Sequence, residues 1–518
     1  LSTPEPFYMN PVIPGFHPDP SICRVGSDFY LVTSSFQYYP GVPIFHSRDL
    51  VHWRQIGHCL TRRSQLDLEG CRSSMGIYAP TIRYYRGRFY MITTNMNSMR
   101  NFFVWAERPE GPWSEPVWLD WPGIDPTLFF DEDGKVYLTG TNELFSSETP
   151  GIYQAELDIA TGELLTERRL IWEGTGAIAP EGPHLYRIGG MYYLVIAEGG
   201  TSYGHMVTIA RGKTPYGPFE SNPANPILTH RDGHGSIQGT GHADLVQLAD
   251  GSWWAVFLGF RPVSVPFSGQ HHHLGRETFL APVAWKEDGW PIIGDNGRVS
   301  ERMKAGSLAL EPELPWVERD DFDGRKLQLH WNFLRNPRAE DWSLDERPGW
   351  LTLHGSEVSL DDLGSPAFLG RRQQHFACEA STLLRFEPVR EGEEAGLTVF
   401  MNERFHYEIA LTCDSDANRK VILRRRIGSL WKIERAARVE SSELILGVTA
   451  DPHQYTFFYE ETGGDRKAFG SGECYLLSTE VAGGYTGVYI GLYATGNGRR
   501  CSTPAYFDWF QYKAGEQG

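Results

Sequence analysis

Residues 28–36 read DFYLVTSSF, and the pattern returns four times: RFYMITTN at 88–95, KVYLTGTN at 135–142, MYYLVIAEGG at 191–200 and SWWAVFLGF at 252–260. Each copy is rich in aromatic and β-branched residues, and each is entered through a Gly-bearing turn: RVGS, YYRG, DEDG, RIGG and LADG. A turn of this kind ahead of such a run is hairpin chemistry. The copies are spaced by roughly 45 to 60 residues, the period at which a sequence signals propeller blades. Five copies predict a five-bladed β-propeller over the first three hundred residues. SRDLVHW, from Ser47, is expected to be an outer-strand segment closing the first blade.

Nine or ten residues before the start of each copy, on the same repeat spacing, lies a shorter pattern: Asp19-Pro-Ser-Ile, Ala79-Pro-Thr-Ile, Asp125-Pro-Thr-Leu, Glu181-Gly-Pro-His-Leu and His242-Ala-Asp-Leu. In a propeller the innermost strands run along one channel, so residues at the same repeat position converge on one small volume. The expected set is Asp19, Ala79, Asp125, Glu181 and His242, with three carboxyls and an imidazole leading their repeats. Asp-Pro alone is a common turn dipeptide. Three acids in register are a different matter, because like charges held close raise one another's pKa and destabilise the fold, which suits a site and not a scaffold.

Composition narrows what such a site binds. The chain has 518 residues, 41% hydrophobic and 13% aromatic, with 33 Pro and 56 Gly, which fits many short strands and tight turns. Its length predicts two domains. A formal charge of -17, from 48 basic and 65 acidic residues, argues against nucleic acid or an anionic membrane as partner, since both need a basic footprint. A neutral ligand such as a sugar is compatible with it. No apolar run approaches the roughly 18 residues of a membrane helix. Seven widely spread cysteines without a CxxC pair read as buried thiols. That favours an intracellular site, and the start LSTPEPFYMN lacks the regions of a signal peptide. Secretion stays open, since the first residue is not Met and a leader could have been removed.

After the fifth repeat, the proline-punctuated LALEPELPWVERDDFDG reads as a linker, with the boundary near residue 310. Beyond it, HYEIALT from His406, KVILRRRI from Lys420, QYTFFYEE from Gln454, YTGVYIGLYAT from Tyr485 and AYFDWFQY from Ala505 alternate as strands do. A jelly-roll-like β-sandwich over 311–518 is expected. It would bind sugar or cover one propeller face, and the sequence leaves both open.

Longer segments carry a family resemblance: NPVIPGFHPDPSICRVG from Asn10, YPGVPIFHSRDLVHW from Tyr39, GIDPTLFFD from Gly123, APEGPHLYRIGG from Ala179, GTGHADLV from Gly239 and HHLGRETFLAPVAW from His272. With them the whole chain resembles glycoside hydrolase family 43, in its branch of β-xylosidases and α-L-arabinofuranosidases with a C-terminal β-sandwich. The resemblance implies an exo-acting, inverting enzyme that releases xylose or arabinose from xylo- or arabinoxylo-oligosaccharides. It implies Asp19 as general base, Glu181 as general acid and Asp125 as the residue that tunes and orients the acid. Arg276 would contact the pentose hydroxyls, and Phe36 and Tyr78 would wall the pocket, with Tyr78 standing where the family usually has Trp. An aromatic from the sandwich closes the pocket in relatives, and Tyr485 is the candidate here. No cofactor is required for the chemistry. His242 would line the substrate site and help hold a hydrated calcium in the channel, the alternative being a buried histidine without metal. His271, His272 and His273 are read as loop residues at the pocket rim, because three consecutive side chains rarely face one ion.

Two other readings stay open at this point: a non-catalytic sugar-binding propeller, and an endo-acting arabinanase with a cleft open at both ends. The order of preference between xylose and arabinose, and the oligomeric state, are not legible in the sequence.

Overall fold

The computed structural model describes residues 6–233, 235–313 and 315–515. Five antiparallel sheets follow one another along the first part of the chain. They begin with the strands Ser21–Val25, Thr81–Tyr85, Thr127–Phe130, Glu181–Ile188 and Gln238–Gln247, and each continues outward through its second, third and fourth strands. The repeated segments form the second strands: Asp28–Val32, Arg88–Asn95, Val136–Thr141, Met191–Glu198 and Trp253–Phe260. These strands are almost wholly buried, as expected where both sheet faces are covered by neighbouring sheets.

The first strands touch in sequence, each against the next, and Gln238–Gln247 returns to Ser21–Val25. The sheets therefore close a ring around a channel, the propeller arrangement. The N-terminal segment seals the join. Ile13 exchanges two backbone hydrogen bonds with Thr278 at 3.2 Å, and the Asn10 amide pairs with both backbone groups of Leu280.

One buried polar knot ties all five inner strands together. Asp244 of the fifth sheet accepts hydrogen bonds from Ser21 Oγ at 2.7 Å, from Arg83 Nη1 at 2.8 Å and from Tyr186 OH at 2.5 Å. His184 Nδ1 accepts from Arg83 Nη2 at 2.9 Å and from Thr127 Oγ1 at 3.2 Å. Burial alone would raise the Asp244 carboxyl, but Arg83 and its other donors overcome this and hold it well below the usual range. A buried ion pair survives only when its remaining lone pairs are satisfied, and here they are.

The expected outer strand at SRDLVHW is corrected. The third strand of the first sheet, Gly41–Ser47, ends there, and the outer strand is Arg54–Leu60. Between them Asp49 makes a turn, its Oδ1 accepting from the backbone N–H of Val51 at 2.9 Å and His52 at 2.8 Å. A carboxylate that captures nearby backbone donors competes with the ladder and ends it.

The C-terminal part is a sandwich of two antiparallel sheets. One includes Ala505–Ala514, Cys378–Arg385, Glu443–Ala450 and Gln454–Glu461. The other runs Ala367–Arg372, Tyr489–Thr495, Glu394–Asn402, Phe405–Cys413, Arg419–Ile427 and Leu430–Arg438. Their facing sides form the largest apolar cluster of the protein. The outer face of the second sheet packs on the propeller: Phe368, Phe400 and Tyr489 cluster with Phe16, Phe36 and Tyr38. All seven cysteines are free thiols, and six of them are buried.

Candidate active site

The strand registers define one repeated position. Ser21, Thr81, Thr127, His184 and Asp244 pair with Val32, Ile92, Thr139, Val195 and Val256, each the fifth residue of its repeated segment. Two residues earlier stand Asp19, Ala79, Asp125, Gly182 and His242. Four of these share one left-handed backbone conformation, with φ of 55° at Asp19, 53° at Asp125, 55° at Gly182 and 52° at His242. Non-glycine residues seldom adopt it, and they gather where a site requires it.

Glu181 is thus one residue out of the register in which the sequence places it. The ladder slips between Glu181 and His184, a bulge that uses up one residue, and Gly182 takes the shared position. A Cβ on Gly182 would lie 2.8 Å from the His242 ring, so only glycine fits there. The fifth sheet slips in the same way between Gly241 and Asp244, so Glu181 stands where Gly241 does, one residue before the shared position. The Glu181 side chain keeps 20% of its exposure while that of Asp19 keeps 8%.

Each carboxyl has a distinct environment. Asp19 accepts from Ser34 Oγ at 2.5 Å and from Arg276 Nη1 at 3.1 Å, and His242 Nδ1 lies 3.8 Å away. Burial raises its pKa, but Arg276, His242 and Ser34 together outweigh burial and hold the carboxyl below its ordinary value. Asp125 receives the backbone N–H of Gly182 at 2.9 Å, which anchors it to the residue beside Glu181. Burial raises Asp125, and the charge of Asp19 adds to this against the pull of His242. Glu181 is raised to about 8, by burial first and then by the charges of Asp125 and Asp19.

His205, absent from the sequence reading, faces Glu181. Its Nε2 is 3.8 Å from Glu181 Oε1, and its Nδ1 is 3.2 Å from the carbonyl of Gly239. Burial pushes the ring down to about 3, so it is neutral. A carbonyl can only accept, so Nδ1 carries the proton in this hydrogen-bond assignment and Nε2 offers a lone pair towards Glu181. That lone pair suits a protonated carboxyl.

Arg276 joins the two parts of the molecule at the site. Beyond Asp19 it donates to Thr201 Oγ1 at 2.9 Å and to the Tyr485 carbonyl at 3.2 Å. Phe36, Tyr78 and Tyr485 form one aromatic wall, with Phe36 to Tyr78 centroids 5.2 Å apart and Phe36 to Tyr485 6.1 Å. The guanidinium carbon of Arg276 lies 5.8 Å from the Phe36 ring and 5.6 Å from the Tyr485 ring. Tyr485 can reach the wall because the strand read from Tyr485 begins at Tyr489, leaving residues 485–488 as a loop.

The rim position expected for His271, His272 and His273 is corrected: all three are buried between propeller and sandwich. His271 meets Ser478 at 3.1 Å, His272 meets Glu480 at 2.6 Å, and the His273 carbonyl accepts from Val488 N–H at 2.9 Å. Tyr203 OH also donates to Glu480, at 2.8 Å. Ser34, Thr201, His205 and Glu480 were not singled out from the sequence, because each acts through a partner remote in the chain or through a fold of the backbone that no motif announces.

His242 offers a poor start for a directly held cation. Among the described residues no three His, Cys, Asp or Glu side chains are grouped to hold a metal ion. Around His242 stand the Asp19 carboxylate, already engaged by Arg276 and Ser34, the Asp125 carboxylate and the His205 ring. These groups fall short of the six to eight oxygens of a directly coordinated calcium, so a calcium here would have to draw most of its oxygens from water.

The family described as glycosyl hydrolases family 43 matches residues 8–291, and the one described as beta xylosidase C-terminal Concanavalin A-like domain matches 319–513. The chain is 44% identical to a non-reducing end alpha-L-arabinofuranosidase of Bacteroides ovatus, covering 99% of this chain and 96% of that protein. It is 35% identical to a beta-xylosidase of Bacillus subtilis, covering 97% and 99%. Among solved structures, a xylan beta-1,4-xylosidase of Bacillus halodurans superposes with a TM-score of 0.92 at 35% identity, covering 98% of this chain and all of that one.

Proposed function

From the premise that this chain belongs to glycosyl hydrolase family 43, we propose that it is an exo-acting, inverting glycosidase releasing β-D-xylose, α-L-arabinofuranose or both from xylo- and arabinoxylo-oligosaccharides. The observation that carries this reading is the separation of two acids by environment. Asp19 is held ionised by Arg276 and Ser34, while Glu181 is raised to about 8. Two carboxyls pushed apart in this way divide into base and acid.

In the proposed reaction Asp19 takes a proton from water as that water attacks the anomeric carbon. Glu181 gives its proton to the glycosidic oxygen as the bond to the leaving sugar breaks. Attack comes from the face opposite the leaving group, so configuration inverts. Asp125 acts through Glu181: its negative charge helps keep the acid protonated, and its bond to Gly182 N–H fixes the bulge that carries the acid. Arg276 serves both sides, holding Asp19 and presenting a second guanidinium nitrogen beside the aromatic wall. His242 supports Asp19 through its charge. Phe36, Tyr78 and Tyr485 offer stacking surface for the apolar face of one pentose.

Exo action is supported by Tyr485, since the sandwich reaches into the site and narrows it on one side. We divide the chain near residue 310, in the interval between the two family matches. Proton NMR of arabinose-decorated xylo-oligosaccharides from the first minutes of incubation tests the reading. Initial α-xylose from a β-xyloside, or β-arabinose from an α-arabinofuranoside, is expected. Early retention of configuration would remove the base role of Asp19, and products several units long would replace exo with endo action.

A further inference from the structure

The six-stranded sheet of the sandwich carries a polar cleft of about 550 Å³ that the proposed chemistry does not use. Part of the same sheet face is occupied by the propeller. Leu360, Ile422 and Tyr493 belong both to that apolar seam and to the cleft wall, so the cleft begins where the seam ends.

Its floor is charged and satisfied. Arg424 bridges Glu394 and Glu408, donating from Nη1 to Glu394 Oε2 at 3.0 Å and through shorter contacts to both residues. Tyr493 OH also donates to Glu394. His406 Nε2 lies 3.2 Å from Glu408 and 3.2 Å from Asp361. Burial would lower this imidazole, but the two carboxylates prevail and raise it to about 9, so it is a cation at neutral pH. Glu391, Lys420 and Arg426 complete the wall. Four acids, Asp361, Glu391, Glu394 and Glu408, line the cleft with three cations, Lys420, Arg424 and Arg426, and His406 stands buried behind them, so opposite charges are interleaved and neither sign forms a patch.

Above this floor stands Trp431, on the edge strand Leu430–Arg438, with half of its surface exposed at 50%. Its ring lies 5.7 Å from the guanidinium carbon of Arg424. The indole is an exposed apolar plate, and beside the charged wall residues Glu391, Lys420 and Arg426 it stands next to polar teeth. Sugars have that combination of faces: C–H groups on one side of the ring and hydroxyls around its edge.

We infer that this cleft is a second, non-catalytic carbohydrate site, which takes a neutral oligosaccharide or polysaccharide chain with Trp431 as stacking platform. It would hold the enzyme on a polymer while the propeller trims exposed ends. The inference does not rest on which pentose the propeller releases.

Affinity gel electrophoresis of the full chain tests it, with Glu181→Gln introduced throughout so that the polymer is not digested. Gels contain arabinoxylan, xyloglucan or polygalacturonate. Retardation is expected on a neutral polymer; Trp431→Ala is expected to weaken it about tenfold, and Trp431→Phe to keep it within about threefold. In the chain with Glu181 intact, Trp431→Ala should hydrolyse a small aryl glycoside within twofold of the parent, which separates this site from the catalytic reading. The inference is overturned by equal retardation of Trp431→Ala and its parent, by retardation on polygalacturonate alone, or by no retardation on either neutral polymer.

Discussion

Replacing Arg276 with Met removes the cation 3.1 Å from Asp19 and leaves a side chain of similar length. Two unit charges at that distance attract by about 5 kcal/mol at an effective dielectric of about 20. At 1.36 kcal/mol per pH unit this sets a ceiling of about 4 units on the rise of the Asp19 pKa. Water entering the vacated space screens part of the loss, so a rise of roughly 1 to 3 units is expected. Arg276 also pulls Glu181 downward against burial and its acidic neighbours, so the acid rises as well. Both limbs of the bell-shaped profile of kcat/KM, which reports the free enzyme, should therefore move to higher pH, the acid limb further. The assay is hydrolysis of an aryl β-xyloside and an aryl α-arabinofuranoside across pH, with thermal unfolding recorded at each point. An optimum that stays in place or moves to lower pH, in a folded protein, would refute the electrostatic role given to Arg276.

Four further outcomes are expected. Glu181→Gln should abolish turnover and also change the pH dependence of stability: the fold prefers protonated Glu181, so the parent loses stability as pH rises from the unfolded value near 4.5 to about 8. The variant, which does not titrate there, should gain several degrees in Tm relative to the parent over that interval and nothing below it. Tyr485→Ala should lower kcat/KM by about five- to thirtyfold, the loss of one stacking ring at about 1 to 2 kcal/mol, measured on xylobiose with unfolding unchanged. Arg83→Met strips Asp244 of its cation in a buried knot and should cost about 3 to 5 kcal/mol of stability in urea unfolding, with kcat of the folded fraction retained. Gly182→Ala would force a Cβ to 2.8 Å from the His242 ring at φ of 55°; kcat should fall at least tenfold, on the order of 1.4 kcal/mol, while KM changes less.

Much of the propeller was legible because its information is local. A Gly turn followed by an aromatic and β-branched run specifies a hairpin within about ten residues, and repetition at a fixed period turns one hairpin into a ring. Asp19 and Asp125 could be found on the same ground. The sandwich strands were legible for the same reason, by alternation.

The remainder depended on contacts between distant residues or on backbone geometry without a composition signal. A bulge shifts the register by one residue, and aligning Glu181 with Asp19 by eye hides it; only the paired strands reveal that Gly182 fills the slot and that the acid stands apart. SRDLVHW alternates well enough to pass for a strand, yet Asp49 captures backbone donors and turns the chain. Arg276 binds a residue 257 positions earlier, and Glu480 binds His272 across 208 positions, separations that no periodicity encodes. By itself the sequence determined most of the elements, their order and the three carboxyls that lead their repeats, since turn chemistry and side-chain alternation act over a few residues. The tertiary structure alone decided which carboxyl is held ionised and which protonated, because a pKa is set by burial and by charges that only folding brings within a few ångströms.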